Sequence, residues 1–147
     1  MSSGMFAGSL PAPERLEEVR LKEHSRCFIC GHDSPGLGIT FKLRNDWSVE
    51  GTFECSEMFQ GYDGIIHGGI ISSLLDAAMT HCLFAQGDAA VTAELCVQFK
   101  RPVATGRSAT VSARIVKDYC PLFLMEARIE QDGWPAATAT GKFMRRE

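Results

Sequence analysis

The stretch His67-Gly-Gly-Ile-Ile-Ser-Ser-Leu-Leu-Asp76-Ala-Ala-Met-Thr-His-Cys-Leu-Phe-Ala-Gln86 decides the architecture. Ile71, Leu75, Ala78 and Cys82 recur with the 3.6-residue period of a helix and form one apolar stripe, with Leu74 beside it. Ser72, Asp76 and Thr80 recur every four residues on another face, flanked by Ser73. Gly87-Asp88 ends the segment. A helix so apolar and so poor in charge must be covered on most sides, and the rest of the chain has to supply the cover.

On both sides of this helix the period changes from 3.6 to 2. Ile39 to Arg44 and Trp47 to Glu54 alternate apolar and polar residues across an Asn45-Asp46 turn and read as a hairpin. After the helix, Val91, Ala93, Leu95, Val97 and Phe99 share one strand face, and Thr92, Glu94, Cys96, Gln98 and Lys100 share the other. Ala109, Val111, Ala113 and Ile115 mark the next strand, and Phe123, Met125, Ala127 and Ile129 another. Ala137, Ala139, Gly141 and Phe143 mark the last, entered through an Asp132-Gly133 turn. Short turns imply antiparallel neighbours. The expected fold is α+β: a six-stranded curved antiparallel sheet around one central long helix.

Residues 1–24 read as an N-terminal lead. The first dozen are rich in Gly, Ser, Ala and Pro, and a short amphipathic helix carrying Leu16, Val19 and Leu21 follows with Pro13 near its start. Residues 25–147 read as the single domain. With 147 residues, 45% hydrophobic and 22% charged, the chain has an ordinary globular balance and no room for a large second domain. A net charge of -3 disfavours nucleic acid as a partner. The opening lacks a basic start and an apolar run, so neither a secretory segment nor a membrane partner is expected. The cysteines at 27, 30, 55, 82, 96 and 120 read as reduced thiols, three of them in apolar-rich segments, and a cytoplasmic location is expected.

Asp76 is the residue that needs explaining. It sits midway along the most apolar helix, where an unpaired carboxylate is costly, and its face neighbours are small and neutral. Gly68 and Gly69 open the helix with unobstructed backbone. First-turn amides lack internal acceptors, so such a helix start can hold a carbonyl oxygen as it becomes an oxyanion. Asp76 lies roughly 12 Å along the axis from Gly68, at about 1.5 Å per residue, too far for both to touch one reacting carbonyl. Two antiparallel helices about a two-fold axis would bring Asp76 of one chain to Gly68 of the other.

Phe59-Gln-Gly-Tyr-Asp-Gly-Ile-Ile-His-Gly-Gly-Ile-Ile-Ser-Ser-Leu-Leu-Asp76 resembles the His-Gly-Gly…Asp motif of hotdog-fold thioesterases, in the PaaI-like branch that includes the THEM proteins. Phe99-Lys-Arg-Pro102 resembles the strand end of that branch, and Cys27-Phe-Ile-Cys-Gly31 with Gly36, Leu37 and Phe41 resembles the opening of many members. The match runs from about residue 25 to the C-terminus. It implies acyl-CoA hydrolysis without a cofactor, in a homodimer or homotetramer. Asp76 would be nucleophile or general base. The Gly68 amide would polarise the carbonyl, with His67 and Gly69 beside it, and Thr92 would support Asp76 or the water. Gln98, Lys100 and Arg101 would lie near the CoA moiety. Many relatives carry Asn six residues before the His; Gly61 stands there in this chain, with Gln60 adjacent as a replacement. Two alternatives share the fold: a hotdog dehydratase of 3-hydroxyacyl thioesters and a non-catalytic acyl-CoA binder.

Two weaker patterns complete the reading. Lys100-Arg101 is equally consistent with a solvated strand end. His24, Cys27, Cys30 and His32 offer four ligands to zinc, but the spacing is cramped and no second Cys-x-x-Cys exists, so no metal is expected.

Overall fold

The computed structural model describes residues 12–33 and 36–146; residues 1–11 of the expected lead therefore lie outside the described residues. Helix α1 spans Pro13–His24, with Pro13 at its first position, and packs through Leu16 against α2, Gly68–Ala85. The strands are β1 (Phe41–Leu43), β2 (Val49–Glu54), β3 (Ala90–Phe99), β4 (Ser108–Tyr119), β5 (Leu122–Gln131) and β6 (Trp134–Arg145). They form one antiparallel sheet in the order β1-β2-β4-β5-β6-β3 around α2.

The expected helix appears almost to the residue. His67 caps its start, accepting the Gly69 amide on Nδ1 at 2.8 Å, and the chain leaves at Gln86-Gly87. Leu74, Leu75, Met79, Leu83 and Phe84 are fully buried, each stabilising the fold by about 1.5–3 kcal/mol. By length and mean hydropathy α2 could cross a membrane, but its apolar surface is spent inside the sheet: Ala109, Val111 and Ala113 of β4, Phe123, Met125 and Ile129 of β5, and Phe143 of β6 cover it. The Asp132-Gly133 turn joins β5 to β6 with both residues at positive φ, 55° and 81°, as a tight hairpin requires.

Two strand expectations change. The first hairpin is shorter than its alternation suggested, because Trp47 adopts φ 69° and belongs to the turn, leaving Val49 to begin β2. In β3 the alternation is interrupted. Thr92 pairs with Phe143, and Glu94 pairs with the adjacent Lys142, so Ala93 is an extra residue in a bulge. A one-residue shift exchanges the two faces of a strand. Thr92, opposite the buried Phe143, therefore faces the helix together with Leu95, Val97 and Phe99, whereas Val91 turns outward with Glu94, Cys96 and Gln98.

Candidate active site

Asp76 projects from the middle of α2 and is half-buried. The hydroxyls that share its helix face do not reach it. Ser72 donates to the Gly68 carbonyl at 3.0 Å, Ser73 to the Gly69 carbonyl at 2.9 Å, and Thr80 to the Asp76 carbonyl at 3.0 Å. The carboxylate is met instead from β3, where the Thr92 hydroxyl donates to Oδ1 at 2.6 Å. Burial raises the Asp76 pKa above the ordinary aspartate value; the Thr92 hydroxyl, and more weakly His24 of α1, pull against that rise.

The helix start is a second centre. The amides of Gly69, Ile70 and Ile71 are engaged by His67, through Nδ1 or its carbonyl oxygen. The Gly68 amide has no acceptor among the described residues. It opens into a groove of about 660 Å³ lined by Tyr62, His67, Gly68, Phe99, Lys100 and Arg101, among others. With Nδ1 accepting, the His67 ring carries its proton on Nε2. Phe99 approaches Gly68 closely enough that a Cβ there would meet its ring carbons at 3.5 and 3.6 Å.

The floor of the groove is fixed by the backbone. The amides of Lys100 and Arg101 both donate to the Ala136 carbonyl, at 2.8 and 3.0 Å. Buried Gln131 clasps the next turn, accepting the Ala104 amide at 2.8 Å and donating to its carbonyl at 2.9 Å. The Arg101 guanidinium lies over the Trp134 ring, 4.5 Å from its centroid. Both cations are exposed.

The residues singled out from sequence thus divide into groups. His67, Gly68, Gly61, Lys100 and Arg101 line one groove. Asp76 and Thr92 meet each other some distance along the same helix. Gln60 faces elsewhere: its Oε1 accepts the Gly64 amide at 3.0 Å and closes the loop. Gln98 is not among the residues that line that groove. It lines an outer hollow of about 760 Å³ with Arg44, Glu50, Arg114, Glu126 and Arg128, on the face turned away from α2. The polar face assigned to Thr92 and Gln98 together is corrected by the bulge at Ala93, which sends them to opposite sides. The sequence reading missed Tyr62 and Phe99 as groove residues, and Trp134 as the ring beneath Arg101. Phe99 read as part of the apolar face of its strand, yet it is 55% exposed.

Residues 63–118 match the family model described as Thioesterase superfamily. The chain is similar to acyl-coenzyme A thioesterase THEM4 of Bos taurus, with 34% identity over 94 residues, or 62% of this chain and 38% of that protein. The chain thus spans less than half the length of this relative. The fold is similar to that of the E. coli PaaI protein from the phenylacetic acid degradation operon, with a TM-score of 0.79 at 20% identity over 92% of this chain and 96% of that one. It is also similar to a hypothetical thioesterase of Streptococcus pneumoniae solved with coenzyme A, with a TM-score of 0.68 at 21% identity over 73% and 87% of the two chains. That protein has been solved in two further forms, with an aspartate or with a threonine replaced by alanine. These likenesses establish the hotdog fold.

Proposed function

We propose that this hotdog-fold chain, with its thioesterase-superfamily segment at residues 63–118, hydrolyses acyl-CoA thioesters in a site shared between two copies. The observation that carries the reading is the division of labour along α2. The free Gly68 amide and the cations of the groove lie at one end, and the Thr92-supported carboxylate of Asp76 lies in the middle. One chain cannot bring both to one thioester, but two antiparallel copies of α2 can.

The open edge of the sheet is the natural seam. β3 is ten residues long, bonds to β6 on one side only, and exposes Val91 and Phe99. A long exposed edge of this kind is stable when it pairs. Joining two β3 edges extends the sheet across the dimer and sets the two α2 helices side by side. Pairing of dimers into a tetramer belongs to the same proposal, as does a cytoplasmic setting for the free cysteines.

In the proposed reaction the acyl carbonyl accepts the Gly68 amide of one copy, and Lys100 and Arg101 meet the phosphates of CoA. Asp76 of the other copy either takes a proton from the water that attacks the carbonyl carbon, or attacks that carbon itself to form an acyl anhydride that water then hydrolyses, regenerating the carboxylate. The carbon–sulfur bond breaks, the thiolate leaves with a proton as CoA, and the acyl group leaves as the acid. Support for pairing Asp76 with Thr92 comes from the Streptococcus pneumoniae variants. The two residues replaced there are separated by sixteen positions, as Asp76 and Thr92 are.

The test is thiol release from a panel of acyl-CoA esters. The Asp76→Asn protein is expected to lose about three or more orders of magnitude in kcat, as removal of a catalytic group does, while its unfolding transition survives. Binding of CoA esters without thiol release by the unaltered chain would reject hydrolysis in favour of a binding protein.

A further inference from the structure

A second cluster of reactive side chains lies outside the groove, where the end of α1 meets the following turn. His24 Nδ1 stands 3.4 Å from Cys30 Sγ, and the ligand atoms of His24, Cys27 and Cys30 all lie within 4.8 Å of one another. Cys30 is fully buried; His24 and Cys27 are half-buried. The backbone holds this arrangement tightly. The Gly31 amide donates to the Cys27 carbonyl at 2.8 Å, and the Ile29 amide donates to Cys27 Sγ at 3.4 Å. A Cβ at position 31 would come within 2.5 Å of the Cys27 nitrogen and 2.6 Å of its carbonyl oxygen, so the turn admits only glycine. Buried Arg20 donates to the Cys30 carbonyl at 3.2 Å and fixes the turn to α1.

We propose that His24 Nδ1 and the sulfurs of Cys27 and Cys30 bind a zinc ion, with water in the fourth position. Zinc–sulfur bonds of about 2.3 Å and zinc–nitrogen bonds of about 2.0–2.1 Å set tetrahedral edges of roughly 3.5–3.8 Å. The 3.4 Å between His24 and Cys30 is already close to such an edge. The other pairs, both involving the half-buried Cys27, lie within 4.8 Å, so a small adjustment of that side chain suffices to reach such edges. An amide aimed at a sulfur stabilises thiolate, as outer-shell donors at metal sites do. Two thiolates and an imidazole select zinc over the oxygen-seeking magnesium and calcium.

Among the described residues no fourth ligand joins the group. His32, which the sequence offered, turns its Nε2 to the Thr40 hydroxyl at 3.4 Å. Binding is an exchange of protons for metal: two zinc–sulfur bonds and one zinc–nitrogen bond form, each thiol gives its proton to solvent, and no oxidant takes part. The consequence is mechanical. The ion ties the end of α1 to the turn and holds the His24 ring edge-on against Phe84 of α2, at 5.0 Å, on the helix that carries Asp76.

The experiment uses the full chain, purified with reductant and without chelator, then dialysed against excess zinc or cobalt(II) and freed of unbound metal. Elemental analysis is expected to give about one zinc per chain, released with uptake of about two protons on chelation. The cobalt form is expected to show thiolate charge-transfer absorption in the near ultraviolet and tetrahedral bands in the visible. His24→Ala and Cys27→Ser should each lose zinc and weaken or shift these bands. Because the cobalt spectrum is read on the unaltered chain, a variant that fails to fold leaves the test intact. Zinc below about a tenth of an equivalent together with no thiolate–cobalt absorption, or full zinc retention by a folded His24→Ala, Cys27→Ser double variant, would overturn the proposal.

Discussion

The Thr92 hydroxyl donates to Asp76 Oδ1 at 2.6 Å, and it can do so only because Ala93 is squeezed out of the β3–β6 ladder as a bulge. Without that extra residue, Thr92 would share the outward face with Glu94, Cys96 and Gln98. A backbone irregularity thus aims the side chain whose hydroxyl bonds the carboxylate.

Removing the hydroxyl should leave Asp76 with the upward pull of burial less opposed. Thr92→Val is therefore expected to move the acid limb of the kcat profile to higher pH. It should lower kcat roughly tenfold to a hundredfold, the scale of one hydrogen bond to a charged group. Thr92→Ser should restore both. Stopped assays across pH 4 to 8 measure the limb; an unmoved limb in Thr92→Val would detach Thr92 from the chemistry.

Lys100 and Arg101 are exposed and lie at the groove end remote from Asp76 in the same chain. In the proposed site they would hold the CoA phosphates equally in the ground and transition states. The double variant Lys100→Ala, Arg101→Ala is expected to raise KM about tenfold with kcat nearly unchanged. The dependence of KM on salt should flatten, because exposed charges are screened. A fall in kcat at constant KM would give these residues a different role.

His81 predicts how the fold responds to acid. Its Nδ1 bonds to the Ala77 carbonyl at 2.7 Å, Nε2 has no partner, and Phe41 and Phe84 flank the ring at 4.7 and 5.0 Å. Burial pushes its pKa down to about 4, with His24 and Arg20 adding to the fall and the Ala77 carbonyl and Glu17 opposing it. The imidazole is neutral in the fold, whereas the unfolded chain takes up its proton near pH 6.5. The stabilisation is complete above that value and is lost as pH falls toward 4, by up to about 3 kcal/mol. Urea unfolding at stepped pH should show this loss, and His81→Leu should reduce it. An identical slope in the variant would contradict the assignment.

The helix, the paired hairpins and the His67-Gly68 start were legible because periodicity and turn chemistry report local geometry directly. The bulge was not. Val91 to Phe99 alternates without a break, and only the partners on β6 reveal that Ala93 is surplus. The exposure of Phe99 was hidden for a related reason: a strand's apolar face says what it can bury, not whether one chain supplies the cover. The gathering of His24 with Cys27 and Cys30 needed the helix end and the turn to fold back on each other, which spacing alone does not encode.

A site divided between two copies can be tested by complementation. Gly68 occupies the first helical position and follows His67 at φ -58° and ψ 134°, a backbone that proline accepts before it. Gly68→Pro therefore removes the amide hydrogen with little disturbance, and with Asp76→Ala it gives two inactive chains, one lesioned at the start of α2 and the other at its middle. Joined in one heterodimer and purified through two different tags, they leave one site with both lesions and one with none. The expected activity is about half that of the unaltered dimer. A verified heterodimer as inactive as either parent would contradict the shared site.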